Sequence, residues 1–147
     1  MHKTMIIILG FIVLLFGLIF WYKLHPLQTT VTINGHTFVA KLAITENEKR
    51  KGLGGQKTLG KDHGMLFLMG EPAYHGFWMK DMKFPLDFIW FNDKTVVDIT
   101  QNVPNPIGDS QPVSLKPRYP ADKIFEVNAG DVARYNISIG NMMKISN

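Results

Sequence analysis

The side chains best suited to chemistry are Trp78, Lys80, Asp87 and Glu126. Trp78 and Lys80 stand two apart in Phe77-Trp78-Met79-Lys80. On an extended segment they share one face, and Phe77 and Met79 share the other. An indole beside an ammonium suits a polar ligand, because the ring supplies apolar area and the lysine a charge. Asp87 follows Pro85-Leu86 at the head of a very apolar run. It can serve as a pocket acid paired with Lys80, or hold backbone N–H groups where the chain enters a sheet. The second use is the plainer one, since structural partners are commoner than ligand sites. Glu126 sits in Ile124-Phe125-Glu126-Val127 and on a strand shares a face with Ile124. A buried carboxylate needs a partner, and Lys80, Arg118 and Arg134 are the cations expected to supply one.

A second constellation is softer. Met65, Met69, Met79 and Met82 fall in one segment with His63 and His75. Thioether and imidazole ligands select Cu(I), so a copper-handling module is an alternative expectation. Methionine also fills gaps in cores, which accounts for the same residues without a metal. An enzyme of unrecognised class is a further alternative. There is no Gly-x-Ser-x-Gly elbow, no His-Glu-x-x-His and no zinc-type spacing. With no cysteine in the chain, thiol catalysis is excluded. No catalytic residue and no cofactor is assigned from the sequence.

These residues must be positioned mainly by strands. Thr30–Ile33 and His36–Leu42 flank Asn34-Gly35, a strong signal for a tight hairpin. Thr45-x-x-Glu48 is a capping box that predicts a short helix over Glu46–Lys51, stopped at Gly52. Its basic run Lys49-Arg50-Lys51 reads as a solvated helix face. Further strands are expected at Gly64–Met69, Phe77–Met79, Leu86–Phe91, Thr95–Thr100, Lys123–Val127 and Met142–Ile145, with a short helix between Asn128 and Asn136. Asn92-Asp93-Lys94 makes a second hairpin turn. Five prolines between Val103 and Pro120 exclude that stretch from central sheet and make it a long surface loop. The pattern predicts an all-β domain, a β-sandwich of jelly-roll type or a partly open barrel, with one or two short helices and no parallel βαβ units.

Ahead of this domain, residues 5–22 form one apolar run without charge or proline. Eighteen residues at about 1.5 Å each cover most of a hydrocarbon core of about 30 Å. Trp21 and Tyr22 close the run and Lys23 follows, as at a membrane interface. The run is longer than a signal-peptide core, and no small-residue cleavage site follows. The expected organisation is a short tail at 1–4, a single transmembrane helix at 5–22 in contact with membrane lipid, a linker at 23–28 and a β domain at 29–147. The brief tail and the lack of cysteine favour a domain outside the cytoplasm. The net charge of +4 is spread among acids, with no basic stripe, so nucleic acid is not an expected partner.

The stretches Gly52-Leu53, Gly64-Met65-Leu66-Phe67, Phe77-Trp78-Met79-Lys80, Pro85-Leu86-Asp87, Glu126 and Ala129-Gly130 resemble, in order and spacing, the prokaryotic family called domain of unknown function 192. The resemblance runs from about Thr37 to the C-terminus and implies a β-sandwich with small helical additions, often behind a signal peptide or anchor. It implies no activity. The chain departs from the family pattern at Gly54, where methionine is usual, at Asp81-Met82, where Asn-Thr is usual, and at Gly140-Asn141, where Gly-Asp is usual.

Taken together, the sequence predicts a non-enzymatic, membrane-tethered binding module of the cell envelope. Its ligand is a small polar molecule or an envelope protein, met around Trp78, Lys80, Asp87 and Glu126, with the proline-rich loop as a rim.

Overall fold

A computed structural model of the chain describes residues 2–24 and 27–146. A helix, α1 (His2–Leu24), precedes the domain. Its described side chains run from Ile7 to Leu18, and all are exposed. They cover about 18 Å of helix rise. Among the described residues no helix is long and apolar enough to cross a membrane. The side chains of Lys3, Trp21, Tyr22 and Lys23, and residues 25 and 26 of the expected linker, lie outside the described set.

The domain is one curled, half-barrel sheet with a small ribbon laid on it. The strands are β1 (Gln28–Ile33), β2 (His36–Ala43), β3 (His63–Ala73), β4 (Phe77–Trp78), β5 (Leu86–Asn92), β6 (Thr95–Val103), β7 (Ser114–Leu115), β8 (Ala121–Asn128) and β9 (Met143–Ser146). Seven of them form the main sheet in the order β6-β5-β8-β3-β2-β1-β9, and β4 pairs with β7 separately. The helices within the domain are α2 (Glu46–Lys51) and α3 (Asp131–Arg134). Of the two arrangements expected, the partly open barrel describes the sheet better than a stack of two equal sheets. The curl brings the far edges together at one end. Val96 N donates to Asn141 O at 2.9 Å, Gly140 N to Val96 O at 2.9 Å and Met143 N to Lys94 O at 2.8 Å. The segment leading into β9 thus closes onto the start of β6.

Local chemistry explains the elements. Asn34 and Gly35 both take positive φ, 48° and 80°, which the right-twisted hairpin between β1 and β2 requires. Thr45 and Glu48 form the expected capping box, and Gly52 with φ of 50° ends α2. One expectation fails. Strands β2 and β3 are parallel, Val39 opposite His63 through Ala43 opposite Phe67. The six-residue α2 and its flanking loops carry the chain back along the sheet. A crossover needs length rather than a long helix, and the span from Ile44 to Asp62 supplies it.

Two apolar clusters sit on opposite faces of the sheet. Phe38, Leu66, Ile89, Phe91, Phe125 and Val127 fill the concave side, plugged by Val132 and Ile137. Met65, Phe67, Met79, Leu86, Phe88, Trp90 and Ile124 form the other, covered by Leu53, Met82 and Phe77. Six consecutive residues of β5, Leu86 to Phe91, are therefore buried. The proline-rich stretch lies on the surface, as expected, but it is pinned. Leu115 and Ser114 pair with Phe77 and Trp78. Arg118 donates from its backbone N, Nε and Nη2 to the buried Asp98 carboxylate at 2.7, 3.0 and 2.7 Å. Burial alone would raise the Asp98 carboxyl, but these bonds outweigh it and hold it below its usual range.

Strand β3 approaches β8 most closely at Gly64, where an added Cβ would stand 2.7 Å from the Glu126 carbonyl oxygen and overlap the Phe125 ring. Neither neighbour can retreat, one being backbone and the other a fully buried ring. Gly64→Ala is expected to cost about 3 kcal/mol in urea unfolding, at the upper end for an overpacked core. A loss below about 0.5 kcal/mol would show that the two strands are not held this close.

Candidate functional site

Glu126 occupies the middle of β8, flanked by Met65 of β3 and Phe88 of β5. Its side chain is only 5 % exposed. Among the described residues it forms no ion pair and no side-chain hydrogen bond, while Arg118 is taken by Asp98 and Arg134 by Asp131. The partners expected from the sequence are therefore not supplied. Desolvation pushes the Glu126 carboxyl up to about 8, so near neutral pH it is mostly protonated.

The carboxyl is not sealed in. It lines a cavity of about 210 Å³. Phe67, Leu53 and Phe77 give the walls their apolar character, with Met69 and Met82 beside them. Phe77 is fixed by edge-to-face contacts with Phe67 and Trp90, at centroid distances of 5.0 and 5.5 Å. The mouth carries Trp78, Lys80 and the basic run of α2, Lys49, Arg50 and Lys51. Trp78 is half exposed, with the Lys80 ammonium 5.5 Å from the centre of its ring. That is within cation–π range. Lys49 pairs with Glu46 at 3.1 Å. Among the described residues Arg50, Lys51 and Lys80 enter no salt bridge.

Two glycines in the turn after α2 make room for this mouth. Gly54 N donates to Lys51 O at 3.0 Å and Gly55 N to Asp81 O at 2.9 Å, which ties the turn after α2 to the turn after β4. A Cβ on Gly54 would lie 2.9 Å from the Lys51 carbonyl oxygen, so any side chain there would shift the turn.

Of the residues singled out in the sequence, Trp78, Lys80 and Glu126 meet at this cavity and Asp87 does not. Asp87 points to the opposite side of the sheet and is fully buried. It accepts from the backbone N–H of Asn102, Gly130 and Val132 at 2.7, 2.9 and 3.0 Å. It is the anchor that joins β6 and the α3 turn to β5, and its expected pairing with Lys80 does not form. Of the Cu(I) constellation, the four methionines share one apolar cluster and the two histidines lie outside it. Met65, Met79 and Met82 are buried in the apolar cluster, and Met69 packs against it. His63 lines a different depression and donates from Nδ1 to Lys61 O at 2.8 Å, while His75 donates from Nε2 to Glu71 O at 3.0 Å. Among the described residues no cluster of three His, Asp or Glu side chains could hold a metal ion. The proline-rich loop touches the far side of Trp78 through Ser114, Leu115 and Lys116 and does not line the Glu126 cavity.

The residues that sequence reasoning missed are Lys49, Arg50 and Lys51. Their capping box located the helix, but nothing local says what lies across from it. As a donor set the site offers a protonated carboxyl inside, an indole edge and several free cations outside. It has the raised carboxyl that proton transfer requires, and the other titratable side chains of its lining, Glu46, Lys49, Arg50, Lys51 and Lys80, come from α2 and the turn after β4.

The family model DUF192, described as an uncharacterized ACR, matches residues 29–145. No curated protein matches the chain. Among solved structures, a protein from Sinorhizobium meliloti described as a candidate transcription regulator is similar with a TM-score of 0.73 at 28 % identity, over 82 % of this chain and 95 % of that one. A protein of unknown function from Novosphingobium aromaticivorans is similar with a TM-score of 0.65 at 32 % identity, over 80 % of this chain and 84 % of that one.

The pH dependence of stability follows from Glu126. Its carboxyl keeps a proton up to about pH 8 in the folded chain, against an ordinary 4.5. Between those values the folded state binds more protons than the unfolded state, so stability falls as pH rises through the window and levels off above it. Buried Asp131, also raised by desolvation, acts in the same sense. Glu126→Gln should match the wild type near pH 5 and exceed it at pH 9, by on the order of a few kcal/mol, in denaturant titrations. Parallel curves for the two proteins across that range would refute the protonated carboxyl.

Proposed function

The chain belongs to the DUF192 family, and from the cavity it carries we propose that it is a membrane-anchored, non-enzymatic binding module that takes a small polar ligand. The observation that carries this reading is Glu126, a carboxyl deep in an apolar sheet face that forms no side-chain hydrogen bond among the described residues and lines a cavity. A ligand atom in the cavity can meet the carboxyl with a hydrogen bond that no described side chain offers. Trp78 and Lys80 at the mouth add apolar contact and charge.

Two further observations support parts of the reading. The described side chains of α1 are apolar or glycine and exposed, with Ile7 and Phe16 each at 70 %, as expected of a helix that meets lipid rather than the domain. A binding role also accounts for the cavity better than an enzymatic one, because Asp87 and the histidines that would complement Glu126 lie elsewhere. The regulator description of the Sinorhizobium protein finds little support in this chain. The domain's helices are six and four residues long, too short for a groove-reading helix pair.

Two measurements test the proposal. Iodide should quench Trp78 emission in the wild type, and Trp78→Phe should remove that component while buried Trp90 remains shielded. An identical quenching curve for the variant would mean that the indole does not guard an open mouth. After alkaline carbonate washing, the full-length chain should stay with the membrane pellet. Its release into the supernatant, or trimming near His25, would overturn the anchor.

A further inference from the structure

Resting on that reading, we propose that the ligand of the Glu126 cavity is a small oxoanion, a carboxylate, phosphate or sulfate group, held between the cations of the mouth and the carboxyl of the floor. Charge selects the class. Arg50, Lys51 and Lys80 stand at the mouth without ion pairs among the described residues; of the acids near them, Glu46 is engaged by Lys49, and Asp81 adjoins Lys80 outside the cavity lining. A cationic ligand would have to pass this rim. An apolar ligand would offer the Glu126 carboxyl no hydrogen bond. An oxoanion satisfies both ends at once. Its negative oxygens meet guanidinium and ammonium donors outside, where such bonds are strong, and one oxygen accepts from the Glu126 hydroxyl inside.

Size narrows the class further. Sites for drug-sized ligands run from roughly 300 to 1,000 Å³. The 210 Å³ here suits a small acid or a single headgroup. Trp78 gives such a group a flat wall, with Lys80 held over its ring.

Binding and protonation are then coupled. An ionised Glu126 would repel the anion and remove the donor. The charged groups that face it are Glu46, Lys49, Arg50 and Lys51 from α2 and Lys80 from the turn after β4, whereas β3 and β5 present Met65, Phe67 and Phe88. No histidine is among them. Glu126 is therefore the group whose titration should control affinity between pH 7 and pH 9.

Placement also bears on where the anion comes from. Strand β1 starts beside the end of β2, where Leu42 N donates to Leu27 O at 2.9 Å. Helix α2 follows that end of β2, so the mouth lies towards the end of the domain at which the N-terminal segment arrives. A lipid headgroup and a soluble acid share the chemistry, and the experiment separates them.

The test uses the full chain in neutral-detergent micelles. Sulfate is the probe, since its charge does not change over this pH range, with chloride keeping ionic strength constant. Trp78 emission is the readout and Trp78→Phe the blank. A saturable change is expected at pH 7, with affinity falling roughly tenfold at pH 9 as the carboxyl ionises. Glu126→Gln, which keeps a donor, should bind sulfate equally at both pH values. Arg50→Gln and Lys80→Gln should each weaken binding several-fold. In vesicles, competition by phosphatidylglycerol but not phosphatidylcholine would identify a headgroup as the source, and its absence a soluble acid. Sulfate binding unaffected by all three substitutions would place the anion elsewhere and overturn the proposal. Saturation by a neutral polyol or a quaternary ammonium in place of sulfate would overturn the oxoanion and leave the pocket standing. Silence towards every class of probe would remove both.

Discussion

Covering both faces of β5 and β8 takes water away from the polar groups at the middle of those strands, and the rest of the molecule is arranged around that loss. The strands lie side by side, and each brings one acid into the interior: Asp87 opposite Val127, and Glu126 opposite Phe88. The two carboxyls sit one register apart on opposite faces. Asp87 is surrounded by backbone donors from Asn102, Gly130 and Val132. A carboxylate so bonded is stable in a buried site, and it fastens β6 and the α3 turn to the central strand. Glu126 receives no such donors. It escapes the cost of a buried charge by keeping its proton.

The same covering creates the cavity. One side of the sheet is closed by the α3 turn and the segment that leads into β9, which pack directly on the apolar residues. The other side is covered by irregular pieces: the turn after α2, the β4–β7 ribbon and the turn after β4. Each is fixed by its own bonds, Gly55 N to Asp81 O, Met79 N to Val113 O at 2.9 Å, and Arg118 to Asp98 further along the loop. Pieces held from outside in this way need not meet at their centre. The space they leave lies over Glu126 because β8 places that side chain on their face. The cavity is thus a product of how the sheet is covered, and its walls are as rigid as the turns that frame it.

Much of this was legible in the sequence, and the reasons are local. Asn34-Gly35 fixes its hairpin through positive φ, Thr45 and Glu48 fix the start of α2, and the very apolar run at Leu86 reads as a strand. The parallel pairing of β2 and β3 was not legible, because it depends on where a crossover returns and not on any residue in it. The site divides in the same way. Trp78 and Lys80 meet as their spacing implies, and Asp87 does what a carboxylate at a strand entrance does most simply. Of the cations expected at Glu126, Arg118 and Arg134 found nearer acids in Asp98 and Asp131, while Lys80 reaches the cavity without forming an ion pair among the described residues. Which of several acids an arginine reaches is decided by tertiary distance, and sequence patterning carries no such distance.

Why Glu126 and the cations at the mouth do not simply pair is itself informative. A lysine brought down to the floor would lose its hydration and most of its rotamer freedom, and the ion pair would have to recover both. Holding a proton on the carboxyl costs less, so the empty site settles as a neutral acid below and solvated cations above. A side chain such as leucine or glutamine at 126 would remove the difficulty, and replacing buried ionisable groups by well-packed apolar ones is often neutral or stabilising. The fold does not need an acid there: the strand's neighbours Ile124, Phe125 and Val127 already hold it in both clusters. A group that the packing does not require, in a cavity the packing does not fill, beneath cations without ion pairs among the described residues, accords with the ligand site proposed above.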